Sequence, residues 1–359
     1  MTIALALALV PLLKDLRLPL SFDWGRLLSA YWLVVAAQSI FAATVLVLLG
    51  LPCSNTLVPL AARIRRNPLR IASLFVFFLI LTWATSWVKA LIISVDAAAI
   101  LELRERKGAP GLRKTSAALL APALYLFAGF LLIFAYNDII LSVRYFAAYD
   151  QAFQAADRWL LHGLTVPAMT AWAVRIFPLS FFHFLEFIYF GMFAQIGAAM
   201  ILTCAIRGRG ESLRFVGTIL TAYYLALLLF FLWPSQGPYY LQPSHLPATL
   251  QASAFQRFSI GNSQALWNHL GIRRISTDYY IAFPCMHITQ PLVVLWFLRR
   301  WKRMVVALAI YDTFLALAII LLEWHYVVDV LAGVVVAFIA ILTTGQSSTP
   351  QLEPAPTPA

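Results

Sequence analysis

The sequence predicts an all-α polytopic membrane helical bundle of about eight transmembrane helices, and two observations predict it. First, 62% of the 359 residues are hydrophobic and only 11% are charged, whereas soluble domains have about 45–50% apolar and about 25% charged residues. Second, the apolar runs are long, nearly uncharged and bounded by Arg, Pro or Gly, as spanning helices are. The composition therefore excludes a soluble globular protein.

Each apolar run is predicted to be one spanning helix. A segment isolated in hydrocarbon must satisfy its backbone hydrogen bonds internally, and roughly 20 helical residues cross the core of a bilayer. The predicted spans are residues 28–51, 71–94, 117–136, 179–206, 214–233, 281–298, 303–322 and 325–344.

The segments outside these spans complete the predicted organisation. Residues 1–13 are apolar but short and precede charged residues, which predicts an interfacial helix rather than a cleaved signal peptide. Residues 150–177 mix charged and aromatic side chains and predict an amphipathic stretch on the membrane surface. We divide the chain into an N-terminal interfacial helix with two transmembrane helices (1–116), a catalytic membrane domain (117–344) and a disordered Ser/Thr/Pro-rich tail (345–359).

Lysine and arginine in the loops determine the predicted orientation. With both termini inside, 15 basic residues lie in inside segments, 10 lie in outside segments, and Lys89 lies within a span. The basic turn at 299–303 is the strongest support for this orientation, whereas the cluster Arg63–Arg70 opposes it. Either the second span is a short returning hairpin, or those arginines lie outside and bind anionic headgroups. In this orientation residues 234–280 and the turn at 323–325 share the outer face.

Net charge and cysteine content narrow the possible partners. A formal net charge of +11 on a mostly apolar chain indicates anionic lipid and topology signals rather than nucleic acid. Cys53, Cys204 and Cys285 have no paired spacing, which predicts neither a disulfide framework nor a zinc site.

The polar residues near two span ends are the candidates for chemistry, because such residues are costly in a membrane. His325 and Asp329 are spaced i, i+4, so imidazole and carboxylate share one helix face, and the carboxylate can fix the ring tautomer by accepting a hydrogen bond. His287 follows Pro284 at the start of the sixth span, on the same outer face. Two histidines and an aspartate suit phosphoryl transfer through a phosphohistidine. Alternatively, His325 and Asp329 merely cap a helix or pair with each other within a helix bundle.

Two motifs resemble a known family. Residues 283–287 read Phe-Pro-Cys-Met-His and resemble the Phe-Pro-Ser-x-His signature of the type 2 phosphatidic acid phosphatase (PAP2) superfamily; residues 325–333 read His-Tyr-Val-Val-Asp-Val-Leu-Ala-Gly and resemble its His-Tyr-x-x-Asp-x-x-Ala-Gly signature. Weaker similarities at 157–161 and 233–240 favour its inositolphosphorylceramide-synthase-like (aureobasidin-target) phosphotransferase branch. The resemblance implies a PAP2-like six-helix core and no metal or other cofactor.

The resemblance also implies the roles of the site residues. His325 is expected to be the nucleophile, Asp329 its partner and His287 the general acid and base. Cys285 stands where the family has Ser, and the usual basic residues of the phosphatases are missing. A phosphorylated intermediate still needs cations or N–H donors, and we expect Arg273 and Arg274 to supply them.

Further candidates for substrate binding surround these arginines. Tyr279 and Tyr280 are neutral donors beside them, Cys285 is a weak thiol donor, and Arg257 and Arg144 are more distant options.

These observations predict an integral-membrane phosphotransferase that moves a phospho-headgroup, such as phosphoinositol, from a phospholipid to a lipid alcohol. The alternative within the family is a lipid phosphate or pyrophosphate phosphatase, in which water is the acceptor. A second alternative is a transporter or scaffold, which predicts that alanine at His287 and His325 preserves activity. The expected partners are the two lipid substrates and the membrane. Short loops favour a bacterial inner membrane, with the site on the periplasmic side.

Overall fold

A computed structural model describes residues 110–143, 147–242, 244–267 and 282–344. Every regular element in these ranges is an α-helix, which confirms the all-α prediction for this part of the chain. The helices are α1 (Pro110–Val143), α2 (Ala147–Leu160), α3 (Val166–Ile176), α4 (Leu179–Phe190), α5 (Met192–Arg207), α6 (Arg209–Leu232), α7 (Pro238–Leu241), α8 (Gln251–Trp267), α9 (Met286–Leu298), α10 (Lys302–Leu321) and α11 (Val327–Thr344).

Several predicted features lie outside the described residues. They are the interfacial helix 1–13, the spans 28–51 and 71–94, the cluster Arg63–Arg70 and the tail 345–359.

Three of the described helices, α6, α10 and α11, are long and apolar enough to cross a membrane. The pair α4 and α5 makes a fourth candidate if it is one span with a 42° bend. The prediction placed one continuous helix at 179–206, but the structure divides it at Gly191. There the Tyr311 hydroxyl of α10 donates to the Ile188 carbonyl, an acceptor that a continuous helix would use internally.

The predicted sixth span, 281–298, is shorter than expected. Its helix, α9, begins only at Met286 and has 13 residues. The delay has a local cause, because proline disfavours helical conformation in the preceding residue, and here Phe283 precedes Pro284. The eighth span likewise begins at Val327 rather than 325. Both starts leave irregular backbone at one end of the bundle, next to the two histidines.

The hydrophobic core lies around α6, which packs against α1, α5, α9 and α11. Phe215, Phe230 and Phe297 are fully buried there. A second group of buried apolar residues joins α3 and α4 to the end of α10 and to Trp324. Packing of these side chains against one another holds the helices together, and it fixes the backbone on which the site is built.

Candidate active site

The beginnings of α9 and α11 meet at one end of the bundle. Gly333 packs so closely on α9 that a Cβ would lie 2.4 Å from the Cys285 carbonyl oxygen, so only glycine fits without displacing the backbone. The Cys285 N–H donates to the Asp329 carbonyl over 3.0 Å. These two contacts bring Cys285 and His287 next to His325 and Asp329.

The two histidine rings contact each other directly. His287 Nδ1 lies 3.0 Å from His325 Nε2, and His325 Nδ1 lies 2.8 Å from the Ala282 carbonyl oxygen. Because a carbonyl oxygen only accepts hydrogen bonds, His325 Nδ1 carries a proton and donates it. In the neutral ring the lone pair is therefore on Nε2, which faces His287.

Asp329 holds the backbone beside His325 rather than the ring itself. Its Oδ2 accepts a hydrogen bond from the Tyr326 N–H over 2.8 Å and lies 3.6 Å from His325 Nδ1. The second separation is too long for a hydrogen bond. The sequence predicted that the carboxylate would fix the tautomer, but the Ala282 carbonyl does so, because it lies nearer to Nδ1 than the carboxylate does.

The surroundings of His325 favour its cationic form. Burial lowers the pKa of this ring, but the neighbouring Cys285 and Asp329 outweigh burial and raise the pKa to about 10. Because His287 Nδ1 is within hydrogen-bond distance, the two rings can share one extra proton. The two histidines thus hold one proton between His325 Nε2 and His287 Nδ1.

An aromatic stack orients the His287 ring. Tyr189 of α4 stacks on His287 with ring centroids 4.6 Å apart, and Trp324 stacks on Tyr189 with ring centroids 5.0 Å apart. Stacked rings restrict rotation of the imidazole and exclude water from one of its faces. Sequence reasoning missed this contact, because Tyr189 and Trp324 belong to aromatic-rich segments without a distinguishing pattern.

Two buried aspartates of α2 support the site from the side. Asp157 accepts hydrogen bonds from the Val327 and Val328 N–H groups over 2.9 and 3.0 Å, so it caps the start of α11. Asp150 accepts from the Ser235 hydroxyl over 2.7 Å. The spacing i, i+7 puts both aspartates on one face of α2, a signal that the prediction of a membrane-surface stretch did not use.

Both aspartates ionise less readily than usual. Burial raises the pKa of Asp150 to about 7, although hydrogen bonds from Ser235 and from the Gly237 and Gln236 N–H groups lower it. Burial also raises the pKa of Asp157, although the two N–H donors of α11 lower it. The site is therefore bordered by carboxyl groups whose charge depends on a few hydrogen bonds.

The comparisons with known proteins identify the family. Residues 151–343, more than half of the chain, match the PAP2 superfamily. The chain belongs to the PAP2 superfamily. No curated protein and no solved structure matches the chain. Membership supports an enzyme of the phosphatase or phosphotransferase type that acts on lipid phosphates, and it disfavours the non-enzymatic transporter or scaffold.

The structure describes only some of the residues that the sequence of this PAP2 protein predicted to bind substrate. Arg273, Arg274 and Tyr280 lie outside the described residues, as do Tyr279 and Arg144. Among the predicted ones, Cys285 and Arg257 are described: Cys285 is fully buried beside the two histidines, and Arg257 is exposed on α8.

One segment that flanks His325 contains residues that sequence reasoning missed. The Ala282 N–H donates to the Ser235 carbonyl over 3.1 Å, and a Cβ at Gly237 would lie 2.4 Å from the Trp324 carbonyl oxygen. Gln236, between these two contacts, is 2% exposed, and neither polar atom of its amide has a hydrogen-bond partner. A buried amide without partners is costly and is a candidate for contact with substrate.

A cavity of about 280 Å³ lies beside the same end of the bundle. It is next to Trp324, because Tyr239 lines it and packs edge-on against the Trp324 ring, and because Gln256 lines it and donates to the Leu322 carbonyl. The exposed Arg257 contributes a cationic side chain to the lining of the cavity. The full lining is Tyr239, Ser244, Leu246, Ser253, Gln256, Arg257 and Ile260.

Proposed function

We propose that this PAP2 protein transfers a phosphorylated headgroup from a phospholipid to a lipid alcohol through a phosphohistidine at His325. The observation that carries the proposal is the 3.0 Å approach of His287 Nδ1 to His325 Nε2, with His325 Nδ1 bound to a backbone carbonyl. This arrangement presents a nucleophile and a proton donor at one point, which is what nucleophilic catalysis with general acid assistance requires.

In the first step His325 Nε2 attacks the phosphorus of the donor lipid. The shared proton moves to His287 Nδ1 and frees the lone pair of Nε2. A P–N bond forms as the P–O bond to the diacylglycerol breaks, and His287 gives its proton to the departing oxygen. Diacylglycerol leaves, and the phospho-headgroup stays on His325.

In the second step the lipid alcohol takes the headgroup. His287, now without the extra proton, accepts the proton of the alcohol hydroxyl as the oxygen attacks phosphorus. The P–N bond breaks, and the proton returns to the histidine pair.

With water as the acceptor the same steps describe the phosphatase alternative. The absence of lysine and arginine from residues 234–240 favours the transferase, since that segment flanks His325 without providing a cation for free phosphate.

The cavity beside Trp324 supports a polar headgroup on the donor. Hydroxyl groups of Ser244, Ser253 and Tyr239, the Gln256 amide and the Arg257 guanidinium line it. This set of donors suits a hydroxylated, phosphate-linked group better than an acyl chain. In the proposed reaction Arg273, Arg274 and Tyr280 contact the phosphate, phosphatidylinositol is the first donor to test, and a ceramide is the first acceptor. The proposed site lies on the periplasmic face of a bacterial inner membrane.

The experiment uses purified full-length protein in detergent with labelled phosphatidylinositol or phosphatidic acid, with and without a lipid alcohol. We expect the label to move to the lipid alcohol and, after rapid quenching, to be found on the protein in an acid-labile, alkali-stable form. Phosphate release that no lipid alcohol changes would leave only the phosphatase. His183→Ala is the matched control, because His183 is half exposed on α4 and pairs with Glu186, and it should retain the label.

A further inference from the structure

We propose that Cys285, His287 and His325 form a site for a thiophilic transition-metal ion such as Zn²⁺, which reversibly blocks the nucleophile. The sulfur and one nitrogen from each ring all lie within 4.8 Å of one another. Tetrahedral zinc with bonds of about 2.0–2.3 Å places its ligand atoms roughly 3.3–3.8 Å apart. Small side-chain rotations are therefore enough to close this set around an ion.

The groups around His325 favour its binding to a metal ion. A ligating histidine nearly always donates its other ring N–H to a carbonyl or carboxylate, which fixes the tautomer and raises the basicity of the ligand. His325 Nδ1 makes this bond to the Ala282 carbonyl at 2.8 Å, with the Asp329 carboxylate at 3.6 Å. Nε2 is thus the nitrogen available to a metal.

The cysteine makes the set selective for a metal of this class. A thiolate is a soft ligand that zinc and similar ions prefer, whereas a serine hydroxyl is a poor one. With three protein ligands, a fourth position is open to water or to a lipid phosphate oxygen. Cysteine spacing does not predict this site, because it has a single cysteine and its two histidines are 38 residues apart in the chain.

Metal binding prevents the proposed phosphotransfer reaction. This consequence rests on the proposed function. The ion occupies the Nε2 lone pair that would attack phosphorus, so the metal and the phosphohistidine cannot form together. On binding, the Cys285 thiol and the histidine pair release their protons, and no change of oxidation state is involved. Zinc is then an inhibitor that competes at the nucleophile, and it is distinct from a cofactor.

The test titrates Co²⁺ into the purified full-length protein in detergent and records thiolate-to-cobalt charge-transfer absorption. We expect one equivalent of Co²⁺ to bind and Zn²⁺ to displace it. Cys285→Ser should abolish the band and weaken Zn²⁺ binding at least tenfold. Cys204→Ser is the matched control, because Cys204 is buried in α5 and should leave the band unchanged. The absence of a band in the unaltered protein, or its persistence in Cys285→Ser, would overturn the proposal.

A second measurement separates the metal site from the proposed reaction. His287→Gln should also weaken the cobalt band, and this readout needs no substrate. A band that depends on Cys285 in a protein without transferase activity would disprove the reaction and leave the metal site standing. In an active protein, Zn²⁺ should inhibit at least tenfold, and a chelator should restore the rate. Inhibition that EDTA does not reverse would contradict a reversible block.

Discussion

The two ends of the helical bundle both concentrate polar residues, but they use them differently. At the end formed by the turns before α6 and α10, Glu211 accepts hydrogen bonds from Arg207 and Arg214 over 2.8 and 2.5 Å, and Arg207 lies over the Trp301 ring. At the other end His287 and His325 contact each other. The first end pairs opposite charges, whereas the second places two proton carriers side by side.

The difference shows which polar groups are structural. Charge pairs with aromatic covers stabilise helix ends, and each partly buried pair near the surface contributes little. Two adjacent imidazoles do not attract each other as opposite charges do, because one of them must lose its proton or share it. Polar residues whose arrangement is costly are therefore the better guide to chemistry in this chain.

The largest expected effect comes from removing the nucleophile. His325→Ala should reduce the initial rate of headgroup transfer by about 10³-fold or more, because in the proposed reaction His325 Nε2 forms the covalent intermediate. Arg299→Ala at the opposite end should change the rate less than about twofold, since Arg299 lies over Trp296 far from the histidines. Initial rates in detergent test both. Equal losses in the two variants would show that the two ends do not differ in function.

The next effect tests the support from α2. Asp157→Ala removes the acceptor of two N–H groups at the start of α11 and should lower the free energy of unfolding by about 1–2 kcal/mol. Since α11 carries Asp329 and follows His325 directly, the transfer rate should fall as well. Glu211→Ala at the other end should cost about 0–1 kcal/mol, because its two pairs lie near the surface.

Thermal unfolding and initial rates, measured on both variants, check this prediction. A rate that stays unchanged in Asp157→Ala while stability falls would show that the cap does not position the catalytic groups. Restoration by Asp157→Asn, whose amide oxygen can accept one of the two bonds, would support the capping role.

The contrast between the two ends also explains what sequence reasoning could predict. His325 and Asp329 are four residues apart, so their shared face follows from helix geometry alone. The basic turn at 299–303 is equally local. The cap by Asp157 joins residues separated by 170 positions, and the break at Gly191 depends on a hydroxyl from α10. Contacts of this kind depend on tertiary packing and have no local pattern.

A smaller effect concerns recognition of the headgroup. Arg257→Ala should raise KM for the donor lipid about tenfold with kcat nearly unchanged, because the guanidinium lines the cavity beside Trp324 and not the histidine pair. Such a change removes binding that the ground and transition states share. Arg175→Ala, an exposed arginine on α3, is the matched control and should leave KM unchanged. A fall in kcat without a change in KM would place Arg257 at the reacting phosphate instead.

The smallest expected effect is a dependence of stability on pH. The folded protein raises the pKa of Asp150 from its ordinary 3.8 to about 7, so between these values the folded state holds a proton that the unfolded state has released. Stability from this group is fully present below about pH 4 and is lost as pH rises through about 7. Asp150→Asn stays neutral and should flatten the fall in melting temperature between about pH 4 and 7, the interval between the two pKa values. Glu211→Gln at the other end should leave the slope unchanged. A slope that is identical in Asp150→Asn and the unaltered protein would mean that the hydrogen bonds from Ser235, Gln236 and Gly237 keep the carboxylate ionised throughout this range.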